Sequence, residues 1–367
     1  MSSVSVRALP TANINPQRKP LVWLLMGNCV GDNNQLTALA RALGFRAVAK
    51  HIAFNQLRRL PFMRGLGLAI VSRKSLDLIN PPWPDLVIGV GYGSVPVARC
   101  IRDASGGRAK IVHIGNPRAR VDDFDLQITT PQYARKERDN MLALPLPIGN
   151  PAKSVHATHE ELKWLRSLPR PRRLVAVGGP ARHWQLDHKA LGEAIRSLQA
   201  RKQSGSLVLA TSPRTPDATR RLLRRLVTGR HTSIVEHFPR FGVLLSHCDE
   251  IHVTADSVSM LSEAILTGKP VGMIPIQRSL RGLISNWLWE RPLRRATLPN
   301  LRNFWQLLER ERLIGTVELP VASQVCDTVE RAADAVRSLL PPEEPLDQKK
   351  RRHANPHLGI ARGSRGR

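Results

Sequence analysis

Short apolar runs alternate with amphipathic stretches along most of the chain. Leu21–Met26, 85–90, Lys110–Ile114 and Leu126–Thr129 are near-continuous apolar runs of strand length, the pattern of strands buried on both faces. Helical spacing follows two of them, over about 34–43 and 95–103, and Gly44 stands where a glycine ends a helix. A second series, 173–177, 206–210, 250–253 and Pro270–Ile274, repeats the alternation. Strand and helix in turn predict an α/β protein with parallel sheets and helices on both faces.

Between the two series lies a stretch rich in proline and polar residues: Pro147, Gly149, Asn150 and Pro151, then Pro169 and Pro171. A chain of 367 residues exceeds one ordinary core and suits two of about 150 each. The predicted organisation is therefore a disordered N-terminus (1–20), a first domain (21–150), a linker (151–171), a second domain (172–340) and a disordered basic tail (341–367). The tail holds seven Lys and Arg against three Asp and Glu, with few apolar residues to bury.

Charge narrows the partners. Fifty-six Lys and Arg against 29 Asp and Glu leave a formal +27, an attraction for polyanions of any kind. Only nine residues are Phe or Tyr, and none interleave with basic residues as on an RNA-reading sheet, so no nucleic-acid partner is expected. No run approaches the roughly 18 apolar residues of a membrane span, and the first twenty residues lack a signal-peptide core. The expectation is a cytoplasmic protein that meets membranes only peripherally, at the inner face. Leu57, Arg58, Arg59, Leu60, Phe62, Met63 and Arg64 mix bulky apolar side chains with arginines. That suits docking on an anionic lipid surface, and equally a core-facing helix with a solvated basic side. Cys29, Cys100, Cys248 and Cys326 lie far apart, so neither a zinc site nor a disulfide framework is expected.

In doubly wound sheets ligands bind beyond the carboxyl ends of the strands, and four such loops are polar or glycine-rich. In the first, residues 27–35, Asp32 or Asn33 can cap the following helix. Capping explains one residue but not Asn28, Asp32, Asn33 and Gln35 together. A carboxylate there can act as general base on an acceptor hydroxyl, which makes Asp32 the candidate. In the second, Gly91 and Ser94 belong to a G-x-G-x-G turn that either brings backbone amides to a ligand or simply turns tightly; its spacing is not the dinucleotide fingerprint. The third pairs Gly179 with Ser212, Arg214 and Thr215, just before a helix opened by Pro216. The helix N–H groups and the arginine suit a phosphate, and Ser/Thr capping beside a solvated arginine is the plainer reading. The fourth compresses strand, polar loop, helix, glycine stop and strand into about twenty residues, with Asp256, Ser257, Ser259, Met260 and Glu263 at the helix start. A carboxylate at Glu263 can hold both hydroxyls of a ribose while serines and amides meet its phosphates.

GDNNQ (31–35), TSPRTP (211–216) and VTADSVSMLSEA with GKPV (253–271) together resemble the bacterial branch of the mitochondrial fission (elongated mitochondria) family, whose members are called glycosyltransferases. PDLVIGVGYGS (84–94) and IGNPRARVDDFDL (114–126) extend the resemblance over about 21–340. The resemblance implies a GT-B-like fold: two Rossmann-type, doubly wound parallel-sheet domains facing across a cleft. It implies a nucleotide-sugar in the C-terminal domain with Glu263 on the ribose, and the acceptor in the N-terminal domain. The glycine-rich first loop with histidine of the similar muramyl-peptide transferase is replaced here by residues 28–35. The implied activity is metal-independent transfer from a nucleoside-diphosphate sugar to a membrane-associated glycan or lipid, with no cofactor beyond the donor. Asp123 and Asp125 have D-x-D spacing but read as the start of a strand. Without a metal, Arg214 and Lys269 are left to stabilise the leaving diphosphate. The resemblance equally admits a non-catalytic scaffold that recruits a protein partner at a membrane.

Overall fold

A computed structural model describes residues 19–56, 67–133, 138–149, 155–181, 183–201, 205–229, 231–280, 301–324 and 327–341. The segments 1–18 and 342–367, and the arginine-rich stretch 57–66, lie outside the described residues.

The apolar runs become central strands because helices cover both faces of each sheet. In the first domain β1 (Leu21–Met26), β2 (Arg46–His51), β3 (Leu86–Val90), β4 (Lys110–Ile114), β5 (Leu126–Thr129) and β6 (Met141–Ala143) form one parallel sheet in the order β2-β1-β3-β4-β5-β6. β2 and β6 escape sequence reading because they are edge strands whose residues are mostly half or fully exposed. The α-helices among the described residues of this half are α1 (Val30–Leu43), the single turn α2 (Arg73–Leu76) and α3 (Ser94–Ala104). α1 starts four residues before the expected position, so the polar cluster 31–35 forms its first turns rather than a loop. Cys29 is the N-cap residue and makes no side-chain capping bond, so neither Asp32 nor Asn33 caps the helix.

The second half runs α4 (His159–Arg166), β7 (Arg172–Val177), β8 (Trp184–Leu186), α5 (His188–Ala200), β9 (Ser206–Thr211), α6 (Asp217–Leu226), β10 (Thr232–Val235), α7 (Phe241–His247), β11 (Glu250–Thr254), α8 (Val258–Ile265), β12 (Pro270–Ile274), β13 (Ile276–Arg278), α9 (Leu301–Arg310), β14 (Val321–Ala322) and α10 (Thr328–Arg337). Its main sheet has the order β10-β9-β7-β11-β12-β14 and is parallel except for β14.

Two boundaries differ from the sequence reading. The expected linker contains α4, closed by a capping box between Thr158 and Glu161. Leu165 of α4 joins the second core, and the buried Glu161 carboxylate accepts bonds from the Arg240 backbone and guanidinium. Those bonds hold its proton affinity well below the usual carboxylate range. At the other end, α10 leaves the second domain. Ala332, Ala333 and Val336 pack into the first core beside Leu36 and Leu39 of α1, and Arg337 bonds the carbonyl of Ala42. Small residues allow this close helix contact, but nothing in the local pattern says which sheet the helix covers.

Each sheet reverses its strand order once, between β1 and β3 in the first and between β7 and β11 in the second. α1 leaves the first switch point and α8 the second. Crevices at such points are where open α/β sheets take ligands.

Candidate functional site

α1 and α8 face each other across the interdomain cleft. A methyl group on Gly31 would come within 3.4 Å of the Ser259 hydroxyl, so the first turns of the two helices nearly touch. The cleft between them has a volume of about 780 Å³ and is lined by Asp32, Gln35, Arg41, Gln132 and Tyr133 from the first domain and by Ser259, Ser262, Glu263, Asp327 and Glu330 from the second half of the chain. Pockets of this size hold nucleotide-sized ligands.

On the first domain's side, Asp32 is the candidate base. Burial raises its proton affinity above the usual carboxylate value, against a hydrogen bond with Cys29. Burial also raises the Tyr133 phenol, helped by the nearby Asp32 charge. Gln35 and Gly91 line a smaller cavity of about 100 Å³ with Asp32. Asn28 borders an adjoining pocket of about 460 Å³ with Asp32, Gly91 and Ser94. Gly91 has φ +70, a conformation that favours glycine, and its carbonyl accepts bonds from Ser94 Oγ at 2.9 Å and pairs with His113 Nε2 at 3.2 Å. Ser94 is therefore buried and taken up in closing the turn. Asn33 behaves likewise: its amide exchanges two bonds with the Gly27 backbone, at 2.8 and 3.0 Å, and ties α1 to the end of β1.

On the second domain's side the polar side chains divide sharply. Asp256 has no exposed side-chain surface. It accepts from the Gly179 amide at 2.9 Å, Thr254 Oγ1 at 2.6 Å and Arg214 Nη2 at 3.2 Å. The Gly179 amide is thus turned to Asp256, and a Cβ on Gly178 would sit 2.0 Å from the same carboxylate. Thr215 is buried, donating its hydroxyl to the carbonyls of Val177 and Gly178, and Ser212 Oγ lies 3.2 Å from it. Ser257 is the N-cap of α8, and Met260 packs against the core behind it with its amide on Ser257 Oγ. Hydrogen bonds inside the fold thus occupy Asp256, Thr215 and the Gly179 amide, which sequence reading turned toward a ligand. Ser259 and Glu263 do line the cleft. Glu263 accepts one bond, from Ser259 Oγ at 2.9 Å, and burial raises its proton affinity. The Arg214 side chain is half exposed, beside the residue preceding the α8 N-cap. Lys269 is elsewhere: its ammonium donates to the carbonyls of Leu245, Ser246 and Cys248, at the C-terminal end of α7. It cannot also meet a diphosphate.

The lining carries Asp32, Glu263, Asp327 and Glu330 against Arg41 among the described residues, so the cleft is locally acidic in a chain of +27. A diphosphate is repelled from its middle and favoured near Arg214 and the α8 N-terminus, whose first N–H groups have no intrahelical acceptor. Asn116, Thr130, Gln132 and Tyr133, which also line the first-domain cavity, were not singled out from sequence. They follow β4 and β5, and their position at strand ends is the signal that could have found them. Asp123 and Asp125 are paired with Arg99 and with Arg102 and Lys110.

The fold is that of GT-B glycosyltransferases and epimerases. A UDP-N-acetylglucosamine 2-epimerase structure from Listeria monocytogenes superposes with a TM-score of 0.52 at 16% identity, over 88% of this chain and 96% of that one. An S. aureus MnaA–UDP co-structure superposes with a TM-score of 0.50 at 12% identity, over 85% and 94%. The curated mitochondrial fission protein ELM1 of Arabidopsis thaliana is 24% identical over 241 residues, covering 57% of this chain and 55% of its own length, so the match spans about half of that relative. The family model for mitochondrial fission ELM1 matches residues 30–287, from the first turn of α1 past the end of β13. The chain belongs to that family.

Proposed function

We propose that this chain binds a nucleoside-diphosphate sugar in the interdomain cleft and transfers the sugar, without a metal, to a hydroxyl of a membrane-associated glycan or lipid. One observation carries this reading: Glu263 stands in the wall of the cleft that Asp32 also lines, and Ser259 Oγ is its one hydrogen-bond partner among the described residues. In the proposed complex Glu263 takes the ribose hydroxyls. The diphosphate lies against the α8 N-terminus and Arg214, whose positive ends stabilise the leaving group as charge develops. Asp32 removes the acceptor proton; a carboxyl with raised proton affinity is a better base near neutral pH than an ordinary one. The +27 charge supports an anionic membrane as the place where the acceptor is met, and no helix among the described residues is long and apolar enough to cross one.

The test is thermal denaturation with UDP, GDP, ADP and CMP. A nucleotide at a hundred times its Kd should add about 2.7 kcal/mol of stability. No stabilisation by any of them would favour the other reading, a GT-B scaffold that recruits a protein partner at a membrane, which family membership also supports.

A further inference from the structure

The small cavity beside Asp32 is built differently from the rest of the cleft. It has a volume of about 100 Å³ and shares Asp32, Gln35, Gln132, Tyr133, Pro147 and Ile148 with the main cleft, into which it therefore continues. Its apolar lining is formed by Val90, Ile114, Ile128 and Leu144, at or just past the carboxyl ends of β3, β4, β5 and β6. Its rim is polar, with Asp32, Gln35, Asn116, Thr130, Gln132 and Tyr133. One rim group is anomalous. Gln132 is 94% buried, at 6% relative exposure. Its Oε1 has no hydrogen-bond partner. A buried carbonyl oxygen left unmatched destabilises the fold, and the cost is recovered when a donor arrives from a ligand.

We propose that this cavity is a saccharide subsite that takes a neutral pendant group, a hydroxymethyl or acetamido, with Gln132 Oε1 accepting its O–H or N–H. The apolar lining matches the carbon face of such a group, and the polar rim matches its hydroxyl or amide. The Asp32 carboxylate disfavours an anionic pendant such as a uronate. The small volume fits a side group, with the ring itself in the adjoining cleft. In the context of the transferase reading the subsite selects the acceptor or the transferred sugar, but the binding claim can be tested without a donor.

The experiment is saturation-transfer NMR on the full chain with methyl β-glycosides of glucose, N-acetylglucosamine and glucuronic acid, each with and without UDP. The expected result is transfer to the pendant protons of at least one neutral glycoside and none to the glucuronide. Gln132→Leu should weaken that binding by about tenfold, with UDP binding unchanged and Tm equal to or above wild type, whereas Gln132→Glu, which keeps an acceptor oxygen, should retain it. Neutral glycoside binding sustains the subsite, and if none of UDP, GDP, ADP and CMP binds, the transferase reading is removed while the subsite stands. UDP binding without any neutral glycoside binding, or glycoside affinity untouched by Gln132→Leu, overturns the subsite and leaves the donor reading standing. A lower Tm in both variants with unchanged affinity makes Gln132 a packing residue and also overturns it.

Discussion

The two walls of the cleft use the same residue types in opposite ways. In the second domain, the side chains after β7, β9 and β11 bond one another: Asp256, Thr254, Thr215 and the amides of Gly178 and Gly179 form a closed net. In the first domain, Asp32 and Gln132 stand at the cavity with few internal partners. Asp256 and Glu263 repeat the contrast only seven residues apart. The first has three donors and no exposed surface; the second has one donor and faces the cleft. A carboxylate with its donors satisfied fixes backbone, and one with most of its valence unmatched is available to a ligand.

Breaking the closed net should have the largest effect. Asp256→Ala leaves the Gly179 amide and Arg214 without their acceptor and should lower stability by about 3 kcal/mol in urea denaturation. A loss below about 1 kcal/mol would mean that the net is not holding the loops. Gly178→Ala should act in the same direction, because its Cβ would overlap the carboxylate.

The open wall should respond in activity instead. Asp32→Asn should reduce sugar transfer by about a hundredfold or more, the usual scale of a lost general base, with the fold intact by circular dichroism. Retention of full transfer would remove Asp32 from the chemistry.

The contrast also explains what the sequence could and could not reveal. The central strands were legible because burial on both faces demands continuous apolar runs, as in Leu21–Met26 and Leu86–Val90. Edge strand β2 was not, since RAVAKH carries no such run. The strand-loop-helix segment ending in Glu263 was legible as a site because Asp256, Ser257, Ser259 and Glu263 cluster at one helix start. Which of them faced outward was not, because this depends on Gly178 and Gly179, some 80 residues earlier in the chain. Gln132 was missed for a related reason: its neighbourhood is assembled from four separate strand ends. Likewise the destination of α10 is a tertiary fact, set by the surface of α1.

The smallest predicted effect concerns pH. Asp32 and Glu263 both have raised carboxyl proton affinities in the fold. Their protonated forms therefore contribute stability that is fully present below the ordinary values of 3.8 and 4.5 and is lost as pH rises through the higher folded values. The double variant Asp32→Asn with Glu263→Gln should lack this loss, and its Tm should gain on wild type across that window, by about 2 °C. Parallel Tm curves from pH 4 to 8 would show that the cleft does not strain these carboxyls.

The most direct test is calorimetric titration of UDP, GDP, ADP and CMP into wild type, and of the nucleotide that binds into Glu263→Gln, with Asp256→Asn as the control for loop order. The account predicts saturable binding to wild type and affinity about tenfold lower in Glu263→Gln at unchanged Tm or above, from loss of a charged hydrogen-bond acceptor on ribose. Equal affinity for wild type and Glu263→Gln would contradict it.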